Sequence, residues 1–191
     1  MKKLYILVFV LSFLIISCNR NDQIVKFKPI GYFSTKYTLD TGAPRQGILA
    51  PESKAVITLE DKYALGLHDL DKFEYIFILY YFDKAKGWDA ELVPPESTHE
   101  FGVFATRSPR RPNPIGLSLV KLDSIVENNL FISNVDAFDN TPVLDIKPFL
   151  PSVDNVYSEK NTKAEFDLGH HDEVFINDSL VKVFVKGESE F

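Results

Sequence analysis

Residues 104–118 read Phe-Ala-Thr-Arg-Ser-Pro-Arg-Arg-Pro-Asn-Pro-Ile-Gly-Leu-Ser, and side chains able to hold an anion crowd together there. Arg107, Arg110 and Arg111 stand among Pro109, Pro112 and Pro114 in a chain whose formal net charge is −6. Proline holds φ near −65° and removes a backbone donor, so such a loop loses little entropy when it orders a ligand. Guanidinium groups on a stiff loop suit bidentate capture of a carboxylate or phosphate. Asn113 adds a neutral donor and acceptor, and Gly116 permits close backbone approach. The same composition also suits a rigid connector whose arginines pair with surface carboxylates, and composition alone leaves both readings open.

Other chemistry is excluded. The chain holds neither G-x-G-x-x-G nor G-x-x-x-x-G-K-[ST], so both standard phosphate cradles are missing, and it has no G-x-S-x-G elbow. A single cysteine, Cys18, excludes an intrachain disulfide framework and any cysteine-cluster metal site. His170 and His171 lie in an acidic stretch, Asp167 to Glu173. Adjacent histidines on a strand face opposite ways, so no metal site is expected. The acidic net charge argues against broad electrostatic capture of nucleic acid, so any such contact needs a local basic patch.

The elements that must position the arginine loop are strands. Sixteen Phe and eight Tyr against nine Gly favour a β-rich core over a glycine-looped nucleotide fold. Tyr75–Phe82 is an unbroken aromatic and β-branched run, which predicts a strand buried on both faces. Ser118–Asp123 and Leu180–Val185 approach alternation, and Val56–Leu59, Gly102–Thr106, Leu130–Val135 and Val143–Ile146 are further strand candidates. Turn residues separate them at Lys86-Gly87, Asn128-Asn129 and Asp139–Pro142. Leu59–Leu70 holds at most one or two helical turns. Many short strands predict a small, mostly antiparallel β-barrel with short helices.

The N-terminus reads as an address. Lys2 and Lys3 precede an apolar run from Leu4 to Ile16. As a helix that run is about 20 Å long, short of the roughly 30 Å hydrocarbon core. Residues 1–17 therefore form a signal peptide, and Ile15-Ile16-Ser17-Cys18 resembles a bacterial lipobox. That resemblance implies lipidation of Cys18, a membrane anchor through it and a place in the cell envelope. If the apparent signal is a false start, the expected place is the cytoplasm. Residues 18–26 follow as a tether, 27–154 as the barrel domain and 155–191 as a short C-terminal extension.

The stretch Gly102–Ser118 resembles the signature of the TsaA-like/TrmO family. Further blocks agree in order: Ile30-Gly31, Pro44-Arg45-Gln46, the aromatic run from Leu70 to Phe82, Trp88 with Pro94-Pro95, and Asp139–Pro151. The family consists of S-adenosylmethionine-dependent tRNA methyltransferases on a β-barrel instead of a Rossmann fold. The resemblance implies transfer of a methyl group to N6 of the threonylcarbamoylated adenosine beside the tRNA anticodon, by a homodimer. It implies cofactor contacts from Pro44, Arg45, Gln46, Asp83, Lys84, Arg107, Leu117, Ser133, Asn134, Val135 and Asp136. Arg110, Arg111, Asn113 and Lys147 are the implied contacts to the threonyl carboxylate or tRNA phosphates.

Asp139 and Asp145 are candidate proton acceptors, and equally a turn cap and an ion-pair partner of Lys147. The chain differs from the family pattern in carrying Asp83-Lys84 where many members have His-Gln, and Asn140 where the late motif has glycine. An exported chain allows a different reading, in which the barrel is an envelope-anchored, non-catalytic ligand-binding or interaction domain.

Overall fold

The computed structural model describes residues 24–95 and 97–169, and the backbone of 174–176 and 179–181. The expected signal peptide, Cys18, His170 and His171 lie outside the described residues, as does the rest of the Leu180–Val185 candidate.

Six strands close into an antiparallel barrel. They are β1 (Gly31–Thr35), β2 (Lys54–Leu59), β3 (Tyr75–Tyr81), β6 (Ile115–Val126), β7 (Asn129–Ser133) and β8 (Pro142–Pro148). Their order around the barrel is β1-β2-β7-β6-β3-β8, with β8 returning to β1. Closure removes exposed edges. Alternation then fills the lumen: Phe33, Ile57, Ile76, Ile78, Val120, Leu130, Ile132 and Val143 all point inward and are buried. The long β6 serves two neighbours. Ile115–Lys121 pairs with β3, and Lys121–Val126 pairs with β7 across a bulge between Leu122 and Ser124.

Outside the barrel, β4 (Glu91–Leu92) and β5 (Phe101–Gly102) form a small hairpin, as do β9 (Val174–Ile176) and β10 (Ser179–Val181). Two short helices follow the barrel, α1 (Pro151–Asp154) and α2 (Glu159–Asp167). The Ser158 hydroxyl caps α2 by accepting from the Asn161 N–H at 3.2 Å. Among the described residues, no helix is long and apolar enough to cross a membrane.

Three expectations change. The Tyr75–Phe82 run is buried on one face only: Ile76, Ile78 and Tyr80 fill the lumen, Tyr75, Phe77 and Leu79 are half-buried and Tyr81 is exposed. Among the outward rings of this strand, Phe77 is covered edge-on by Phe149, with ring centres 5.8 Å apart. Gly102–Thr106 is not a strand. Pairing with β4 ends at Gly102, and Val103–Ala105 curls into a 3-10 turn that the Thr106 hydroxyl caps by donating to the Val103 carbonyl at 2.9 Å. The strand expected to reach Val135 ends at Ser133, because Asn134 takes a left-handed φ of 64°. Strand β1 has no signal of its own, since Phe33 is the only large side chain it sends inward.

Candidate functional site

At one end of the barrel, the chain leaving β3, the arginine loop and the crossover from β7 to β8 enclose a cleft of about 570 Å³. Its apolar lining includes Leu39, Phe82, Pro109, Ala137 and Phe138, and its polar lining includes Asp83, Lys84, Arg110, Asp136 and Thr141. The exit of β3 and the β7–β8 crossover are tied to the scaffold through their backbone. The Phe82 N–H donates to the Pro114 carbonyl at 2.8 Å, joining the exit of β3 to the proline-rich loop. After Asn134 turns the chain, Ser53 holds it: the Asn134 N–H donates to the Ser53 carbonyl at 3.1 Å, and the Val135 N–H to its hydroxyl at 2.6 Å. The return into β8 pivots on Asn140, whose φ of 58° is the left-handed conformation that the family glycine implies.

Asp136 is the polar centre of this end. Its Oδ2 accepts from the Gly47 N–H at 3.1 Å, and its Oδ1 accepts from the Ser118 hydroxyl. The Ser118 oxygen also lies 3.2 Å from the Tyr80 hydroxyl. Ser118 has one proton and gives it to the carboxylate, so Tyr80 is the donor in that contact. Burial pushes the Asp136 carboxyl above its ordinary value, against the opposing pull of the Ser118 and Gly47 hydrogen bonds and the Arg107 charge. Burial, then the charge of Asp136, pushes the Tyr80 phenol far up, so it stays protonated and able to donate.

Gly116 makes room for this chain of groups. A Cβ there would stand 2.3 Å from Cε2 of the Tyr80 ring. Tyr80 is further fixed edge-on between Phe33 and Phe82, at 5.7 and 5.1 Å.

Several residues singled out in the sequence converge here. Asp83, Lys84, Arg110 and Asp136 line the cleft. Lys84 Nζ sits 3.2 Å from Asp83 and donates to the Asp139 carbonyl at 2.9 Å. Arg107 donates to Gln46 Oε1 at 2.5 Å, and the Gln46 amide donates to the Arg45 carbonyl at 2.7 Å. Gln46 is the residue before Gly47, which binds Asp136, so Pro44–Gln46 and Arg107 border the same centre. Arg110 forms a two-pronged pair with Asp89, with both contacts at 3.0 Å. Arg111 donates to the Thr106 carbonyl at 3.3 Å, and the Asn113 carbonyl accepts from Ile115 at 2.7 Å.

Others stand apart. Leu117 points outward on β6, opposite to Ser118, and is half-exposed. Lys147 lies six residues along the chain from Thr141 at the cleft, about 20 Å in an extended strand, and pairs with Asp145 at 2.7 Å. Asp145 therefore fills the ion-pair role considered for it. Asp139 accepts from the Thr35 N–H at 3.1 Å and from the Asn140 amide at 2.8 Å, which makes it a turn cap. Ser133 is buried and donates to Asp123 at 3.0 Å, while Asn134 and Val135 serve as the buried turn behind Asp136.

The sequence reading missed Tyr80 and Ser118. Their one signal was parity: each lies on the lumen side of its strand, where a polar group needs a partner. It also missed Leu39 and Phe138, apolar residues in segments without periodicity.

Comparison with known proteins follows the same outline. Residues 32–155 match the family model described as the tRNA-methyltransferase O N-terminal domain. An S-adenosyl-L-methionine-binding protein of Archaeoglobus fulgidus is 43% identical over 129 residues, covering 68% of this chain and 92% of that protein. The tRNA (adenine(37)-N6)-methyltransferase of Mus musculus is 36% identical over 151 residues, covering 75% of this chain but 34% of that enzyme. The crystal structure of TrmO from Pseudomonas aeruginosa superposes with a TM-score of 0.61 at 33% identity, over 73% of this chain and 62% of that one. The chain thus spans nearly all of the archaeal protein and about a third of the mouse enzyme.

Proposed function

The chain belongs to the tRNA-methyltransferase O N-terminal domain family, and from that premise we propose that it binds S-adenosylmethionine in the cleft beside Asp136 and methylates N6 of a tRNA adenosine. The finer substrate in this proposal is the threonylcarbamoylated adenosine next to the anticodon. The observation that carries the reading is one cleft assembled from the exit of β3, the arginine loop and the Asp136 crossover.

The residues suit that cofactor. The cleft is within the roughly 300–1,000 Å³ usual for small-molecule sites, and Leu39, Phe82 and Phe138 offer apolar faces for a purine. The carboxylates of Asp83 and Asp136 can take hydroxyl or ammonium donors, and the Arg107 guanidinium beside Gln46 can take a carboxylate. When bound, S-adenosylmethionine supplies a methyl group on a good leaving group. The chain's own contribution is position and exclusion. Tyr80, Ser118 and Gly47 hold the Asp136 carboxylate at a fixed angle, and the proline-rich loop closes one wall. Arg110 lines the cleft while paired with Asp89, and the resemblance assigns it, with Arg111 and Asn113 of the same loop, to the substrate, where a threonyl carboxylate is the matching charge. Lys147, far along β8, is assigned no part in this site.

Leu117 enters the proposal through a second copy. The outward residues Tyr81, Ile115 and Leu117 are exposed neighbours on the β3–β6 ladder, an apolar face suited to a homodimer that would bring Leu117 to the partner's site.

The test is transfer of labelled methyl from S-adenosylmethionine to tRNA with and without the threonylcarbamoyl group. Arg107→Ala is expected to weaken cofactor binding about tenfold or more, the cost of one charge-assisted contact. Failure to bind cofactor at millimolar concentration would transfer the proposal to the second reading, an envelope-anchored binding domain. The observation favouring that reading is Ile15-Ile16-Ser17-Cys18.

A further inference from the structure

We propose that Tyr80 is a positioning residue of this cleft: its hydroxyl sets the direction of a hydrogen-bond chain through Ser118 that keeps Asp136 an ionised acceptor for the bound molecule. The inference rests on the cofactor reading above and names the groups that govern the charge state of that site.

Strand register builds the chain. Tyr80 on β3 stands opposite Gly116 on β6, and Ser118 is two residues further along the same inner face. A Cβ on Gly116 would lie 2.4 Å from Cζ of the ring, the carbon that carries the hydroxyl, so glycine lets the phenol lie across β6 toward Ser118. The hydroxyl ends 3.2 Å from the Ser118 oxygen, and Ser118 in turn donates to Asp136 Oδ1. Tyr80 and Asp136 both line the cleft, while Ser118 is buried.

The single proton on Ser118 makes the chain directional. Tyr80 donates to Ser118, and Ser118 donates to an ionised Asp136. A protonated Asp136 would reverse the order, donating to Ser118, which would then donate to Tyr80. The phenol proton would have to give up the Ser118 oxygen in a side chain only 4% exposed, and a buried donor without an acceptor is costly. Ionising offers Tyr80 no escape, because burial and then the Asp136 charge push its phenol far up. Tyr80 therefore opposes the burial that pushes the Asp136 carboxyl up. Arg107 opposes it too, through its charge. The remaining charges of the cleft lining are Asp83, Lys84, Lys86 and Arg110. Asp83 is paired with Lys84 at 3.2 Å and Arg110 with Asp89 at 3.0 Å, and a change at Tyr80 alters none of these charges.

Tyr80→Phe removes the hydroxyl and keeps the ring edge-on between Phe33 and Phe82, and Ser118→Ala is tested beside it. Two readouts are followed in the full chain as pH is lowered: the Asp136 carboxyl resonance without ligand, assigned against Asp136→Asn, and the calorimetric affinity for S-adenosylmethionine. In the parent, affinity should fall as the carboxyl takes its proton, and Asp136→Asn should lack that step. Both variants are expected to move the midpoint to higher pH. Ser118→Ala should move it further, because it removes the bond to the carboxylate itself, and should weaken binding roughly tenfold between the two midpoints. A carboxyl midpoint and an affinity profile that neither variant moves overturn the proposal. A midpoint that shifts in a chain that binds no cofactor upholds the hydrogen-bond chain and overturns the proposed function instead.

Discussion

Gly47→Ala is a demanding test of how the site is built. Gly47 does not have a left-handed φ, so its requirement for glycine comes from crowding alone. A Cβ at this position would stand 1.9 Å from the Asn134 carbonyl oxygen and 2.5 Å from its carbon, both backbone atoms. Ordinary contact begins near 3.4 Å, so the two segments must part by about 1.5 Å. Asn134 and Val135 are held from behind by Ser53, so the Gly47 turn is the side that yields. Its N–H then leaves Asp136 Oδ2, because 3.1 Å plus that displacement is beyond hydrogen-bonding range. Overpacking costs about 1–3 kcal/mol, and a lost bond to a charged group costs about 1.5–3 kcal/mol. For a chain of this length each kcal/mol lowers Tm by about 2–4 °C, so a fall of roughly 10 °C is expected. Gln46, next in the chain, moves with the turn, and cofactor affinity should drop about fivefold or more. The assays are thermal and urea unfolding with calorimetric titration of S-adenosylmethionine. Gly66→Ala is the control, since a Cβ there meets nothing within 4 Å. A Gly47→Ala protein melting within about 2 °C of the parent would refute the reasoning, because it would mean the two segments are not in contact.

The raised carboxyl of Asp136 sets a pH dependence of known sign. Because the folded state takes this proton more readily than the unfolded chain, the ionised group costs stability above its folded pKa, and that cost disappears as pH falls through it toward 3.8. The parent should therefore gain stability relative to Asp136→Asn on acidification through that window, and a urea-midpoint difference that stays constant with pH would count against it. Cys18→Ser should abolish palmitate labelling and membrane fractionation of the full chain; a parent that is itself unlabelled and soluble ends the envelope reading. Leu117→Lys should convert a dimer to a monomer in light scattering and weaken cofactor binding without lowering Tm by more than a few degrees. A monomeric parent removes the pairing proposal.

Much of the barrel was legible because strand parity is a local property. Val120 and Leu122 alternate with Leu119 and Lys121, and this suffices to place β6 with its inner face in the lumen. The arginine loop was legible for a similar reason, since three prolines among three arginines are visible without knowing what they face. What was not legible depended on neighbours distant in sequence. Tyr80 reads as one more aromatic in an apolar run until Ser118, on the paired strand, and Asp136, beyond the next hairpin, close a chain of hydrogen bonds with it. Gly102–Thr106 reads as extended until the two-residue β4 is seen to end its pairing.

Leu117 marks a different limit. The resemblance links it to the cofactor, yet parity on β6 turns its side chain away from the only face of that strand that reaches Asp136. No rotamer crosses a strand, because the side chains of residues 117 and 118 leave the backbone on opposite sides. A single copy therefore cannot use the Leu117 side chain and the Ser118–Asp136 contact at one bound molecule. The two facts are compatible if residue 117 acts through its backbone or if a second chain supplies it. The second alternative would also involve Tyr81 and Ile115, the exposed neighbours of Leu117 on the same ladder. The length of side chain tolerated at position 117 thus distinguishes a cleft complete in one chain from one that two chains must build.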